Sequence, residues 1–311
     1  MLVEPTMRRI LIVFLILLIT HSAWGQAPLD QLIPPVVINY NTINPQHPLM
    51  RGLLGWWVTQ PVIRGGNTFW NVLSRFPMTV IGTGWQPTTR ALWPAEMRLN
   101  GTSDYLSLGN VPTWDMSNTT FTFGIRFRIA ALGGSSAYLL GFRSIAGSTG
   151  GYFLRVNSDS TLNARIMSSG AAVQADRSSV LTVYGNTQWH TAVAVFTTDT
   201  TTSTNNTVTI YGDGVVDQGA LSQPGSTGYV PCTTDVPACI LAVGTTHDFV
   251  TFLNGAVDDV RLWTRGLSAQ EALMYHRQSP PEFGGMVQPE PWSALVPTAP
   301  GGTTRHRGVI Q

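Results

Sequence analysis

Between residues 120 and 129 the chain alternates strictly: Phe121, Phe123, Ile125, Phe127 and Ile129 are separated by Thr122, Gly124, Arg126 and Arg128. A period of two gives an extended segment one apolar and one polar face, so this stretch is predicted as a strand with its Phe and Ile side chains inward. Shorter signals of the same kind occur at 97–108, 137–142, 152–156, 162–167, 190–196, 208–211, 240–243 and 257–263, punctuated by Gly, Asn, Ser, Thr and Asp. The Thr-rich stretch 197–207 joins two of these strands and is predicted as a long hairpin loop. No self-similarity with a period of about 20 to 50 residues is present, which disfavours a propeller or solenoid. One helix is predicted, opened by Ser268-Ala269-Gln270-Glu271 and ending near Gln278, ahead of Pro280 and Pro281. Its first four residues form a capping box. The Ser268 hydroxyl can accept from the Glu271 amide, and the Glu271 carboxylate can accept in return from the Ser268 amide.

The two ends read differently. Arg8 and Arg9 precede an unbroken apolar run, Ile10 to Ile19, and Ala23-Trp24-Gly25 supplies small residues at a signal-peptidase site. Residues 1–25 are therefore predicted to be a signal peptide cut between Gly25 and Gln26. A ten-residue run rises only about 15 Å as a helix, half of the ~30 Å of a bilayer core. A leader is expected rather than an anchor, with no membrane span after its removal. Residues 26–50 form an extended lead-in, 51–278 the folded domain, and 279–311 a Pro- and Gly-containing tail. The predicted location is secreted or extracellular, the periplasm and cell surface included. There Cys232 and Cys239 are expected to form a disulfide whose short loop contributes about 2.5 kcal/mol. A metal or redox pair would need Cys-x-x-Cys spacing or a neighbouring His, and neither occurs.

Composition narrows the function classes. Charged residues make up 11% of the 311, with a net charge of +1, against about 25% charged in soluble domains; nucleic acid is not an expected partner. All 18 basic residues are Arg, which removes Schiff-base and P-loop lysine chemistry. The 43% of hydrophobic residues can bury a core, while 31 Gly and 20 Pro supply many turns, as suits an all-β chain.

Six segments follow in a familiar order: Gly52-Leu-Leu-Gly-Trp-Trp57, Leu99-Asn-Gly-Thr-Ser-Asp-Tyr-Leu106, Phe121-Thr-Phe-Gly-Ile-Arg-Phe127, Gln188-Trp-His-Thr-Ala-Val193, Val208-Thr-Ile-Tyr-Gly-Asp-Gly214, and Leu253 to Trp263 with the helix start Leu267 to Glu271. Together they resemble the laminin G-like jelly-roll domains of the concanavalin A-like lectin and glucanase superfamily. The resemblance implies an all-β fold, a two-sheet antiparallel jelly-roll sandwich with one short C-terminal helix. Such sandwiches host lectins, hydrolases and adhesive domains alike, so function has to come from sites.

Related glucanases carry a Glu-x-Asp-x-x-Glu pattern that supplies two close carboxylates, whereas here no Glu lies between Glu96 and Glu271. Asp258 and Asp259, adjacent on a strand, are expected to point to opposite faces. No Gly-x-Ser-x-Gly elbow is present. The resemblance makes Trp189 a core residue and His190 a polar edge neighbour, and His247-Asp248 reads as a solvated turn. No enzyme activity is therefore expected. Many relatives hold a structural calcium, and the resemblance positions Asn100, Asp104 and Asp258 as oxygen ligands for one such ion. In the other reading Asp258 accepts backbone amides at a turn. Trp56, Trp57, Trp189 and Trp263 fall on strand patterns and are expected in the core. Trp85, Trp93 and Trp114 lie in loop-like contexts and are the candidate sugar platforms, plugging of the core being their alternative role. Asn100, Asn118 and Asn205 match the glycosylation acceptor pattern. The expected function is a secreted, non-catalytic binding module for extracellular glycan or a protein surface. The alternative is a structural or adhesive module of an envelope, matrix or virion assembly, and a glycan hydrolase ranks third.

Overall fold

The computed structural model describes residues 47–58, 68–69, 73, 78–82, 96–109, 116–132, 134–144, 150–168, 172–225, 228–229, 239–245 and 251–278. Its strands are β1 (Leu53–Val58), β2 (Thr68–Phe69), β3 (Met78–Ile81), β4 (Met97–Asn100), β5 (Tyr105–Ser107), β6 (Thr120–Ile129), β7 (Ala137–Ser144), β8 (Gly151–Val156), β9 (Leu162–Met167), β10 (Val173–Ser178), β11 (His190–Thr197), β12 (Thr207–Gly212), β13 (Val215–Val216), β14 (Cys239–Val243) and β15 (Asn254–Trp263), followed by helix α1 (Ala269–Gln278). They form two antiparallel sheets. One has seven strands in the order β1-β15-β6-β11-β12-β13, with β4 also paired to β15. The other has eight, in the order β10-β9-β8-β7-β14-β5-β3-β2. The jelly-roll sandwich with one C-terminal helix is the observed architecture.

The alternation in β6 does what its period requires. Phe121, Phe123, Ile125, Phe127 and Ile129 are fully buried between the sheets. There the rings of Phe121 and Phe196 stack at 5.2 Å and those of Phe142 and Tyr152 at 5.3 Å. The predicted strand 97–108 is two strands, one in each sheet. Between them the Asn100 Oδ1 accepts from the amides of Thr102, Ser103 and Asp104 at 2.9 to 3.1 Å. Gly101 turns the corner at φ 74°, and a Cβ there would lie 2.6 Å from that of Asn254. Both backbone sign and space thus require glycine. Strand β10 escaped the periodicity reading because only Ala175 of its six residues joins the core.

The capping box forms as expected: Glu271 N–H donates to Ser268 Oγ at 3.3 Å and Ser268 N–H to Glu271 Oε2 at 2.9 Å. Helix α1 then lies over the face of the seven-stranded sheet turned away from the core. Trp263 and Tyr275 meet edge to face at 5.8 Å, within a second apolar cluster that includes Leu49, Val193, Tyr211, Leu267 and Ala272. Gly124 makes room for them, since a Cβ there would come within 3.1 Å of both rings. The predicted leader with its Gly25–Gln26 junction, the lead-in up to residue 46 and the tail from 279 lie outside the described residues.

Candidate functional site

The outer face of the seven-stranded sheet grows more polar away from α1. Arg261, opposite Gly124, pairs with Asp259 at 2.7 Å and lies 4.3 Å from the Trp56 ring. Next, Arg126 pairs with Asp258 at 2.6 Å and lies 4.2 Å from the Trp189 ring. All four charged residues are buried. Strand β15 makes this possible through a bulge: Val257 is opposite Phe127 and Val260 opposite Ile125, so two residues, Asp258 and Asp259, face the single Arg126. The expectation that these adjacent carboxylates point to opposite faces is thereby corrected. The extra residue turns both outward, each to its own guanidinium.

One step further, the cover ends. Arg98 on β4, Ala256 on β15 and Arg128 on β6 are register partners across three strands. Trp189, the residue before β11, has its ring 5.4 Å from the Arg128 guanidinium. Glu96 Oε1 accepts from Arg98 Nε at 2.5 Å and from Arg128 Nη2 at 2.6 Å. The Arg98 and Arg128 side chains keep 55% and 30% of their exposure. Beside them opens a pocket of about 320 Å³, lined by Arg98, Leu99, Arg128, Thr187, Asn254 and Gly255 among others. That lies at the small end of the ligand-site range. Its groups can donate several hydrogen bonds and fix a planar anion, and the half-buried Trp189 indole lies against Arg128 outside the lining.

The structure reassigns several expected roles. Trp57 and Trp263 are fully buried, whereas Trp56 and Trp189 are half-buried and rest on arginines. Trp189 is thus not a core residue, and its neighbour His190 is not at an edge. His190 is opposite Phe127, faces inward and packs against the Phe127 and Tyr184 rings. Its Nδ1 lies 2.8 Å from Asp213 Oδ2. Burial pushes the Asp213 carboxyl up, but the hydrogen bonds from His190 and the Thr191 amide, with the His190 and His276 charges, outweigh it and hold Asp213 below the usual carboxylate range.

The residues expected to hold calcium do not make one ligand set. Asn100 is opposite Asn254, four residues from Asp258 on β15, about 13 Å along a strand. Its Oδ1 is occupied by three amides. Asp104 lies against Gly82 at the end of β3. Asp258 is answered by Arg126, the charge partner its burial demands. Among the described residues no three His, Cys, Asp or Glu side chains gather as a metal site. Trp85, Trp93, Trp114 and Cys232 lie outside the described residues, as does the side chain of Cys239, which begins β14. Sequence reasoning missed Glu96, Arg98, Arg128, Thr187 and Asn254. The available signal was the pair Arg126 and Arg128, two arginines on the polar face of an otherwise apolar strand.

Among solved structures, the binding domain of botulinum neurotoxin DC in complex with SialylT is similar at 10% identity and a TM-score of 0.53, over 74% of this chain and 52% of that one. The same domain in complex with rat synaptotagmin II gives 0.52. Trypanosoma rangeli sialidase in complex with 2,3-difluoro-KDN gives 0.49 at 16% identity, over 72% of this chain and 32% of that one. The chain thus spans about half of the toxin domains and about a third of the sialidase. The expectation of no enzyme activity is corrected by the family match: the matching model describes lectins and glucanases together, so the fold does not set this chain apart from enzymes. No characterised protein matches the sequence. A laminin G family model does, over residues 100–272, and the chain belongs to the family it describes, the concanavalin A-like lectin/glucanases superfamily.

Proposed function

We propose that the chain is a secreted module that recognises extracellular carbohydrate at the open end of the seven-stranded sheet. The observation that carries this reading is the pocket lined by Arg98, Arg128, Thr187 and Asn254, where charged donors, an amide and a hydroxyl converge on one concavity, with the Trp189 indole against Arg128 beside it. The lectin-like fold supports it, as does the basic and apolar leader pattern of Arg8 to Ile19. Among the described residues no helix is long and apolar enough to cross a membrane. The test is a glycan array probed with the chain from Gln26 onward, as wild type and as Trp189→Ala. Saturable binding that the substitution weakens at least about fivefold supports the site; binding indifferent to Trp189 and to the pocket arginines places recognition elsewhere.

A second reading, adhesion to a protein surface, has its own observation. Val180, Leu181 and Val183 are exposed in the loop after β10, and Val215 and Val216 are exposed in β13, the terminal strand of its sheet. Asp217 Oδ1 ties the two together by accepting from the Val180 and Leu181 amides at 2.8 and 3.2 Å. Clustered exposed apolar side chains mark interaction surfaces more often than scattered ones. Silence across the array, with self-association or partner capture lost in Val215→Ser, would favour this reading.

A further inference from the structure

Two guanidinium groups that line the pocket share one carboxylate oxygen. Arg98 and Arg128 both donate to Glu96 Oε1. Asp258 and Asp259 are engaged by Arg126 and Arg261, and no second carboxylate pairs with Arg98 or Arg128 among the described residues. The row therefore carries one positive charge more than it neutralises, at the rim of a concavity rather than on an open surface. Ala256, the residue between the two arginines, adds no bulk there. The arginines sit on strands either side of β15, about 10 Å apart, and Glu96 marks the place where an oxyanion satisfies both at once. The Arg98 side chain, more than half exposed, can swing without unpacking the sheet. Guanidinium forks match planar oxyanions in two-point contact, and they do so best where water is partly excluded.

We propose, building on the carbohydrate reading of this pocket, that its ligand is an acidic saccharide whose carboxylate or sulfate group is held between Arg98 and Arg128. The oxyanion takes up the charge that Glu96 leaves uncompensated, and the Thr187 and Asn254 groups address the sugar body, with Trp189 packed against Arg128 beside them. Glu96 competes with the ligand for the same donors, so its carboxylate sets the affinity.

The experiment titrates the full chain against array-selected glycans in matched sets: carboxylated, methyl-esterified or otherwise neutral, and sulfated. Wild type, Arg98→Gln and Glu96→Gln are compared, each checked for a native near-ultraviolet spectrum. Arg98→Gln is chosen because an exposed side chain on an edge strand can be replaced without unfolding the domain. The expected result is acidic glycans bound about tenfold more tightly than their neutral counterparts, the margin of one charged hydrogen-bonding pair. Arg98→Gln should remove that preference, raised salt should weaken it, and Glu96→Gln should tighten acidic ligands a few-fold while leaving neutral ones unchanged. The carboxylated and sulfated arms report which oxyanion is preferred. Equal binding of neutral and acidic members, still weakened by Trp189→Ala, would overturn the charge selection and leave the carbohydrate site standing. Binding of no glycan, or binding unaffected by any pocket variant, would overturn both.

Discussion

The two ends of one sheet face are made by the same strands and hold opposite chemistry. Under α1 the outer face of the seven-stranded sheet carries Trp263, Val193 and Tyr211, sealed by Tyr275, Ala272 and Leu267. In the row of Val193 and Tyr211, and in the next one, are arginines that are still buried, Arg261 and Arg126, each with its own aspartate and an indole beside it. At the far end Arg98 and Arg128 share a single glutamate and remain in contact with water. Cover explains the gradient. Where water is shut out every charge must be answered one for one, whereas at the open end solvent can carry the imbalance. The buried arginines are thus committed to the fold, and only the exposed ones are free to exchange a partner for a ligand.

Removing the seal should have the largest effect. Trp263→Ala deletes a buried indole whose Nε1–H donates to the Leu49 carbonyl at 2.7 Å, and a loss of about 3–5 kcal/mol is expected in urea unfolding. Arg126→Met should destabilise by a similar amount, about 3–5 kcal/mol, because it removes the guanidinium that answers the buried Asp258 carboxylate. The double change Arg126→Met with Asp258→Leu should recover most of that. A single-mutant loss below about 1 kcal/mol would mean that the row is wetter than its burial implies, and the contrast between the two ends would collapse.

How far this contrast was legible in the sequence follows from what each residue's neighbours are. The alternation of β6 and the capping box of α1 are local, since the residues that decide them lie within a few positions of one another. Both were readable. The bulge at Asp258 and Asp259 is not local: it exists because Val257 and Val260 must both reach the core against Phe127 and Ile125 on another strand, and strict alternation misassigned it. Trp189 and His190 exchanged their expected roles for a related reason. The Phe127 partnership of His190 fixes which of the two faces inward, and Asp213, 23 residues away, makes burial of the imidazole tolerable. The pocket joins β4, β6 and β15, so its members are brought together only by sheet order.

Acid should dissolve the sealed end before the core. Burial raises the Glu271 carboxyl, but its bonds with Arg265 and Ser268 outweigh this and hold it below its ordinary 4.5; Asp213 is likewise held below 3.8. A depressed carboxylate pKa contributes stability that is complete above the unfolded value and is lost as pH falls through the lower folded one. Melting temperature should therefore hold down to about pH 5 and then drop, and Asp213→Asn should flatten the drop. At neutral pH, Ser268→Ala should cost about 1 kcal/mol by opening the helix N-terminus. It should also perturb the tryptophan fluorescence through Trp263 without altering the open end.

The smallest effect on stability belongs to Arg98→Gln, and that smallness carries meaning. An exposed ion pair contributes about 0–1 kcal/mol because solvent and side-chain freedom already offset most of its attraction, and Glu96 keeps Arg128 when Arg98 is gone. Unfolding midpoints should thus barely move. If instead Arg98→Gln destabilised the domain as much as Arg126→Met, the shared carboxylate would be a structural clamp like its buried neighbours, with no donor left over for a ligand. A small loss in stability alongside a large change in ligand preference is the pattern expected of residues whose pairing the fold can do without.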